Sequence, residues 1–140
     1  MLSMKTKYAL KALIVLAGSE EGRMQARAIA KAANIPGKFL EAILTELKMR
    51  GVLDSRRGAD GGFTLARDAS KIMAGDIIRI MDGPLAPIRC ASMTAYKRCD
   101  DCPDEARCAL HGLMREVREA MSGVLDKCSI HDLAREETVF

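Results

Sequence analysis

A mainly α-helical winged helix-turn-helix, with a small β-hairpin wing and a long C-terminal dimerisation helix, is the fold class this chain predicts. Three observations predict it. Apolar residues recur at spacings of three and four in segments before residue 51, strand-like residues then bracket a glycine-rich tip, and a long apolar stripe runs over residues 108–126. With 140 residues, 49% of them hydrophobic, no Trp and four Pro, the chain can bury one core and leaves little room for long disorder.

Residues 4–18 are nearly all apolar or Lys, which predicts a largely buried helix ended by Gly18. The apolar run from Tyr8 to Ala17 is broken by Lys11 and is far too short to span a membrane, so neither secretion nor membrane insertion is expected, and the cytoplasm is the expected location. A short helix over 25–33 carries Ala28, Ile29 and Ala32, and a third over 37–50 carries Leu40, Ile43, Leu44 and Leu47. Between them, Ala30 is small where two helices cross, Asn34 tolerates the left-handed turn, and Pro36 and Gly37 suit a helix start. Small, turn-forming and apolar residues at these offsets match a helix-turn-helix, although an ordinary helical hairpin packs in the same way.

Residues 52–56 and 62–66 read as paired strands around the tip Arg57-Gly58-Ala59-Asp60-Gly61. A glycine-rich loop can also cradle a nucleotide phosphate, but the spacings that serve that purpose are missing. A basic wing is the better account: Arg56, Arg57, Gly58 and Gly61 would meet phosphate or the minor groove. Lys38, Phe39, Glu41, Ala42 and Thr45 on the third helix would face the major groove or its phosphates, while Lys5, Lys7 and Arg27 would contact the backbone. Charge agrees, since residues 1–67 carry 12 Lys and Arg against 6 Asp and Glu, whereas residues 68–140 carry 10 against 13. Double-stranded DNA is therefore the expected partner of the first half, the DNA-binding region 1–67.

The second half, 68–140, opens with a short helix over 74–82 ended by Asp82-Gly83-Pro84. Residues 85–108 lack periodicity, and a loop this long in a small domain needs something to order it. Leu110, Leu113, Met114, Val117, Ala120, Met121, Val124 and Leu125 then line one face of a helix suited to a homodimer interface. Ser129-Ile130-His131-Asp132 opens a last helix with a capping box.

The unordered loop holds Cys90, Cys99, Cys102 and Cys108, followed by His111. Thiolates and an imidazole within 22 residues are soft ligands at metal-binding density. The C-x-x-C pair with C-x-x-H suits zinc, three or four thiolates suit an iron–sulfur cluster, and metal-free thiols suit a regulatory disulfide; spacing alone leaves these open. Cys128 stands apart as a packed thiol and His131 as a first-turn residue. No acid–base pair or nucleophile constellation accompanies the cysteines, which argues against an enzyme.

Lys7–Leu13 (KYALKAL), Ile35–Leu44 (IPGKFLEAIL), Arg57–Phe63 (RGADGGF), Asp101-Cys102-Pro103, Cys108-Ala109-Leu110 and Ser129–Leu133 (SIHDL) together resemble the Rrf-type family of bacterial winged-helix transcriptional regulators, with its IscR, NsrR, RirA and CymR branches. The resemblance spans nearly the whole chain. It implies a homodimeric transcription regulator, expected to act as a repressor. In the sensing branches a [2Fe–2S] or [4Fe–4S] cluster reports iron supply, redox state or nitric oxide. Cys102 and Cys108 match the family's last two cysteines in spacing, and His111 matches the IscR-like histidine. Eleven residues intervene between Cys90 and Cys102, more than in the family's pattern. Cys90 is preferred as third ligand, with Cys99 as a fourth ligand or resolving thiol. Lys7 stands where an NsrR-like carboxylate would be needed, which argues against that ligand set. The CymR-like branch implies instead control by thiol oxidation or by a protein partner. Ordering of residues 90–108 would set the dimer helix relative to the DNA-reading heads.

Overall fold

In a computed structural model, which describes residues 2–140, six α-helices accompany a three-stranded antiparallel sheet that packs on α1 and α3. Helix α1 (Met4–Ala17) begins at Ser3, whose hydroxyl accepts the Thr6 N–H. Ser3 also bonds the Asp82 carboxylate through its own N–H and hydroxyl, which fastens the start of α1 to the fourth helix. After α1 come strand β1 (Arg23–Met24), α2 (Ala26–Ala33) and α3 (Gly37–Met49). Asn34 adopts the left-handed conformation expected of it (φ 51°, ψ 61°), and Ile35 N–H donates to the Ala30 carbonyl across the turn. Ile35 is thereby buried beside Ile29 and Leu40.

Strands β2 (Leu53–Arg56) and β3 (Gly62–Leu65) pair in register from Leu53 opposite Leu65 to Arg56 opposite Gly62. Gly51, with φ 75°, supplies the left-handed residue that ends α3 and starts the wing. The sheet order β1-β3-β2 adds a strand that periodicity did not reveal, because two residues are too short to show alternation. Gly62 (φ 131°) permits that third strand: a Cβ there would come 2.6 Å from the Met24 carbonyl oxygen.

Helix α4 (Ala74–Asp82) buries Ile77, Ile78 and Met81. The segment from 85 to 108 contains two 3-10 turns, Arg89–Ala91 and Glu105–Arg107, so the expectation of a stretch without secondary structure is corrected. Such single turns are too short to leave a periodic signal. Helices α5 (Ala109–Leu125) and α6 (Ile130–Arg135) complete the chain, and the capping box at Ser129 is present in both of its hydrogen bonds.

One apolar core joins the two halves of the sequence. Leu13, Leu16, Leu44 and Leu47 pack with Ile72, Ile77, Met81 and Ile130 in a single cluster. Ala74 N–H donates to Cys128 O and Ile130 N–H to Ile72 O, so α4 and α6 are stitched together. Helix α5 is different: none of its residues is buried, and Leu110, Leu113, Val117 and Val124 are exposed. Among the described residues no helix is long and apolar enough to cross a membrane.

Candidate DNA-reading surface and cysteine-lined cavity

The reading surface is built by leaving one face of α3 outside the core. Leu40, Ile43, Leu44 and Leu47 anchor the helix, so Lys38, Phe39, Glu41, Ala42 and Thr45 stand exposed on its other side. The Thr45 hydroxyl donates to the Glu41 carbonyl within the helix. Arg56, Arg57 and Gly58 are exposed at the wing, and Arg27 is exposed on the first turn of α2. Lys7 is exposed on α1, beside Val139 and Phe140.

Two predicted contacts sit differently from the rest. Lys5 is paired with Glu46, Nζ to Oε2 3.2 Å, and so braces α1 against α3. Gly61 is buried inside the wing tip, where a Cβ would lie 2.8 Å from the Arg57 carbonyl carbon; its N–H closes the tip onto Gly58 O at 2.9 Å. Sequence reasoning also missed Tyr8 and Lys11. The Tyr8 ring meets Phe39 edge-on at 6.1 Å, while the Lys11 ammonium lies over Tyr8 and bonds the Asn34 carbonyl at 3.4 Å. Spacing within one helix gives no sign of such contacts.

The cysteine segment folds around a second feature. Cys90, Cys99, Cys102, Cys108 and His111 line one cavity of about 610 Å³ at the N-terminal end of α5, together with Asp101, Asp104 and Glu105. Cys90 is buried on its 3-10 turn, Cys102 and Cys108 are half-buried, and Cys99 is exposed. All five cysteines of the chain, Cys128 included, are free thiols, and Cys128 lies outside the cavity. Burial, reinforced by the adjacent Cys99 thiol and the Glu105 carboxylate, pushes the Cys90 thiol up from its usual range.

Local hydrogen bonds hold these donors in place. The Cys108 sulfur caps α5 by accepting the His111 N–H at 3.4 Å. Arg98 donates to the carbonyls of Cys102 and Pro103, and Cys102 N–H donates to Cys99 O, which closes the C-x-x-C loop. Tyr96 donates its hydroxyl to Glu105 at 2.6 Å, and this bond raises the Tyr96 pKa. Arg118 reaches back from α5 to the Ala91 carbonyl at 2.6 Å, so the turn carrying Cys90 is tied directly to that helix.

The donor set suits a soft metal centre in its chemistry, thiols with one imidazole around a single cavity. His111 Nδ1 is buried without a hydrogen-bond partner, and its nearest carboxylate, Glu105 Oε1, stands at 3.5 Å, outside hydrogen-bonding geometry. A buried nitrogen left in that state costs free energy unless something else engages it. Among the described residues no three such side chains converge closely enough to grip a single ion as they stand. The five groups ring the cavity instead of meeting at its centre.

Comparison with known proteins adds identity to this geometry. A family model described as Rrf2, iron-dependent transcriptional regulator, matches residues 2–136. An rrf2-like HTH-type transcriptional regulator of Rhodobacter capsulatus is 37% identical over 95% of this chain and 91% of its own length. The HTH-type transcriptional regulator IscR of Serratia proteamaculans is 30% identical over 99% of this chain and 81% of its own. The solved structure of CymR, the global cysteine regulator of B. subtilis, superposes with a TM-score of 0.79 at 32% identity, covering 99% of this chain and 98% of that one. These relatives and neighbours are regulators of transcription, not enzymes.

Proposed function

The chain belongs to the Rrf2 family of DNA-binding transcriptional regulators, and from that premise we propose that it is a homodimeric repressor of the cytoplasm governed by an iron–sulfur cluster. The observation that carries the cluster is the gathering of Cys90, Cys99, Cys102, Cys108 and His111 around one cavity, with a buried imidazole nitrogen left unpaired. Cys102, Cys108 and His111 would be ligands by their match to the IscR-like pattern, and the buried Cys90 would be the third thiolate. Bound there, a cluster supplies a centre that answers to iron supply, redox state or nitric oxide.

The protein's own residues supply the transmission. Cys108 is both cavity wall and N-cap of α5, and Arg118 links α5 to the turn of Cys90. A change in how residues 90–108 sit around the cavity is therefore a change in how α5 is held. The exposed apolar face of α5 is the dimer interface in this reading, so α5 sets the spacing of two reading heads on DNA. Lys38, Phe39, Glu41, Ala42 and Thr45 face bases and phosphates, with Arg27, Arg56 and Arg57 on the backbone or in the minor groove.

Anaerobic purification tests the cofactor. The expected product is coloured and contains iron with acid-labile sulfide. A colourless protein carrying stoichiometric zinc overturns the cluster assignment.

A second reading has its own observation: the buried Cys90 thiol lies beside the exposed Cys99 thiol, in a chain similar to a cysteine regulator. Here oxidation of thiols, or a protein partner, governs DNA binding without a cluster. Metal-free protein would then change its DNA affinity on treatment with peroxide, and Cys99→Ser would abolish that response.

A further inference from the structure

We propose that Phe39, with Ala42 beside it, forms an apolar subsite that reads the C5-methyl group of thymine in the major groove. The inference rests on the DNA-binding reading above and names the base that this part of α3 selects. Phe39 is the third residue of α3, at the end where a recognition helix presents side chains to base edges. It remains 57% exposed although it is a large aromatic residue on a helix whose other face is fully packed.

The exposure is braced. Tyr8 meets the Phe39 ring edge-on, with centroids 6.1 Å apart and planes at 74°. The Tyr8 ring in turn lies under the Lys11 ammonium at 5.8 Å, and that ammonium is held by the Asn34 carbonyl in the turn between α2 and α3. Phe39 thus stands out from the surface on a support that reaches the turn of the reading head. A side chain ordered before binding loses less entropy on contact.

The surroundings define what it contacts. Phe39, Ala42 and Thr45 follow one another at spacings of three along the exposed side of α3, and the Thr45 hydroxyl donates its proton to the Glu41 carbonyl, leaving it no donor for a base. This strip offers a phenyl ring and a methyl group where hydrogen-bonding groups are scarce. Amino and carbonyl groups of bases would be left unpaired against it, whereas the thymine methyl needs only apolar contact. Lys38 and Glu41 flank the strip and remain free for phosphate, guanine or cytosine amino groups.

The test begins with selection of duplexes from a random library by wild-type protein, isolated anaerobically and also after removal of metal. In an enriched duplex, each thymine is replaced in turn by uracil, which deletes the methyl and keeps the pairing. Binding is measured for wild type and for Phe39→Ala, with thermal unfolding confirming that the variant is folded. One thymine in each half-site should cost wild type about fourfold in affinity when replaced, the worth of one buried methyl. Phe39→Ala should bind the thymine and uracil forms equally. Uracil tolerated at every position by wild type, or an equal loss in both proteins, overturns the thymine assignment. Failure to enrich any duplex in either state overturns instead the DNA-binding reading beneath it.

Discussion

Cys90 and Cys99 differ in one property that decides between them as ligands. Cys90 is buried on a turn that Arg118 holds, whereas Cys99 is exposed at the edge of the cavity. A ligand on a fixed turn is positioned before it binds, and an exposed thiol must be ordered first. Replacement of Cys102 or Cys108 by Ser should therefore abolish the visible absorption and acid-labile sulfide of anaerobically isolated protein. Cys90→Ser should do the same, and Cys99→Ser should retain most of both. Loss on Cys99→Ser with retention on Cys90→Ser would reverse the assignment. That Cys90, Cys99, Cys102, Cys108 and His111 form one group was legible in the sequence, because they stand within 22 residues of one another. The contacts that span the chain were not: Arg118, which holds the turn of Cys90, reaches Ala91 across 27 residues, and Lys5, which braces α1 against α3, reaches Glu46 across 41, beyond any local pattern. The place of Gly61 likewise shows only in the fold, since a glycine in a basic tip looks the same whether it faces phosphate or lets the hairpin close.

At the scale of elements, α5 is held to the body by a small number of polar contacts and no buried apolar side chain. The principal strap is Arg79 of α4 against Asp126 at the end of α5, two parallel hydrogen bonds of 2.7 Å. Gly75 makes room for it, since a Cβ there would collide with the Asp126 carboxylate. The Arg79 guanidinium holds the Asp126 carboxyl below the ordinary aspartate value of 3.8. A carboxyl lowered in the folded state stabilises it fully above that ordinary value, and the contribution is lost as pH falls through the lowered one. Both partners are partly exposed, so Asp126→Asn should cost about 1 kcal/mol or less near neutral pH. Thermal unfolding of wild type and variant between about pH 3 and 7 reads this directly, spanning the ordinary and lowered carboxylate ranges. The gap should be constant above about pH 5 and close towards pH 3. A gap that persists at the lowest pH would show that the strap acts through packing, not charge. The helices were legible because apolar residues recur along one face of each, and the wing strands because they bracket the glycine-rich tip Arg57-Gly58-Ala59-Asp60-Gly61. Strand β1 and the 3-10 turns were not, because two or three residues are too few to leave a periodic pattern.

The whole molecule pairs a well-packed reading head with a helix that rests on the body only through half-buried side chains, Met114, Met121 and Leu125 among them. Residues from both halves share one core, so the head is joined to α4 and α6 by packing, whereas α5 projects an exposed apolar face that no described residue covers. Leu113 and Val117 lie four apart on that face and are both exposed, an arrangement that leaves apolar area in water unless a second copy covers it. A twofold axis through two such helices would also place two basic heads on one side, which suits a DNA site of repeated half-sites. Replacing Leu113 by Asp puts a charge within the exposed apolar patch and leaves the monomer core untouched. Light scattering should report a dimer for wild type and a monomer for Leu113→Asp, with helical content by circular dichroism preserved. Binding to a two-half-site duplex should weaken by orders of magnitude in the variant, because the second head is no longer delivered at high effective concentration. Binding of the variant to a single half-site should match that of wild type. A wild type that is monomeric at the concentrations where it binds DNA would remove α5 from the signalling path and leave the cysteine-lined cavity to act on the head alone.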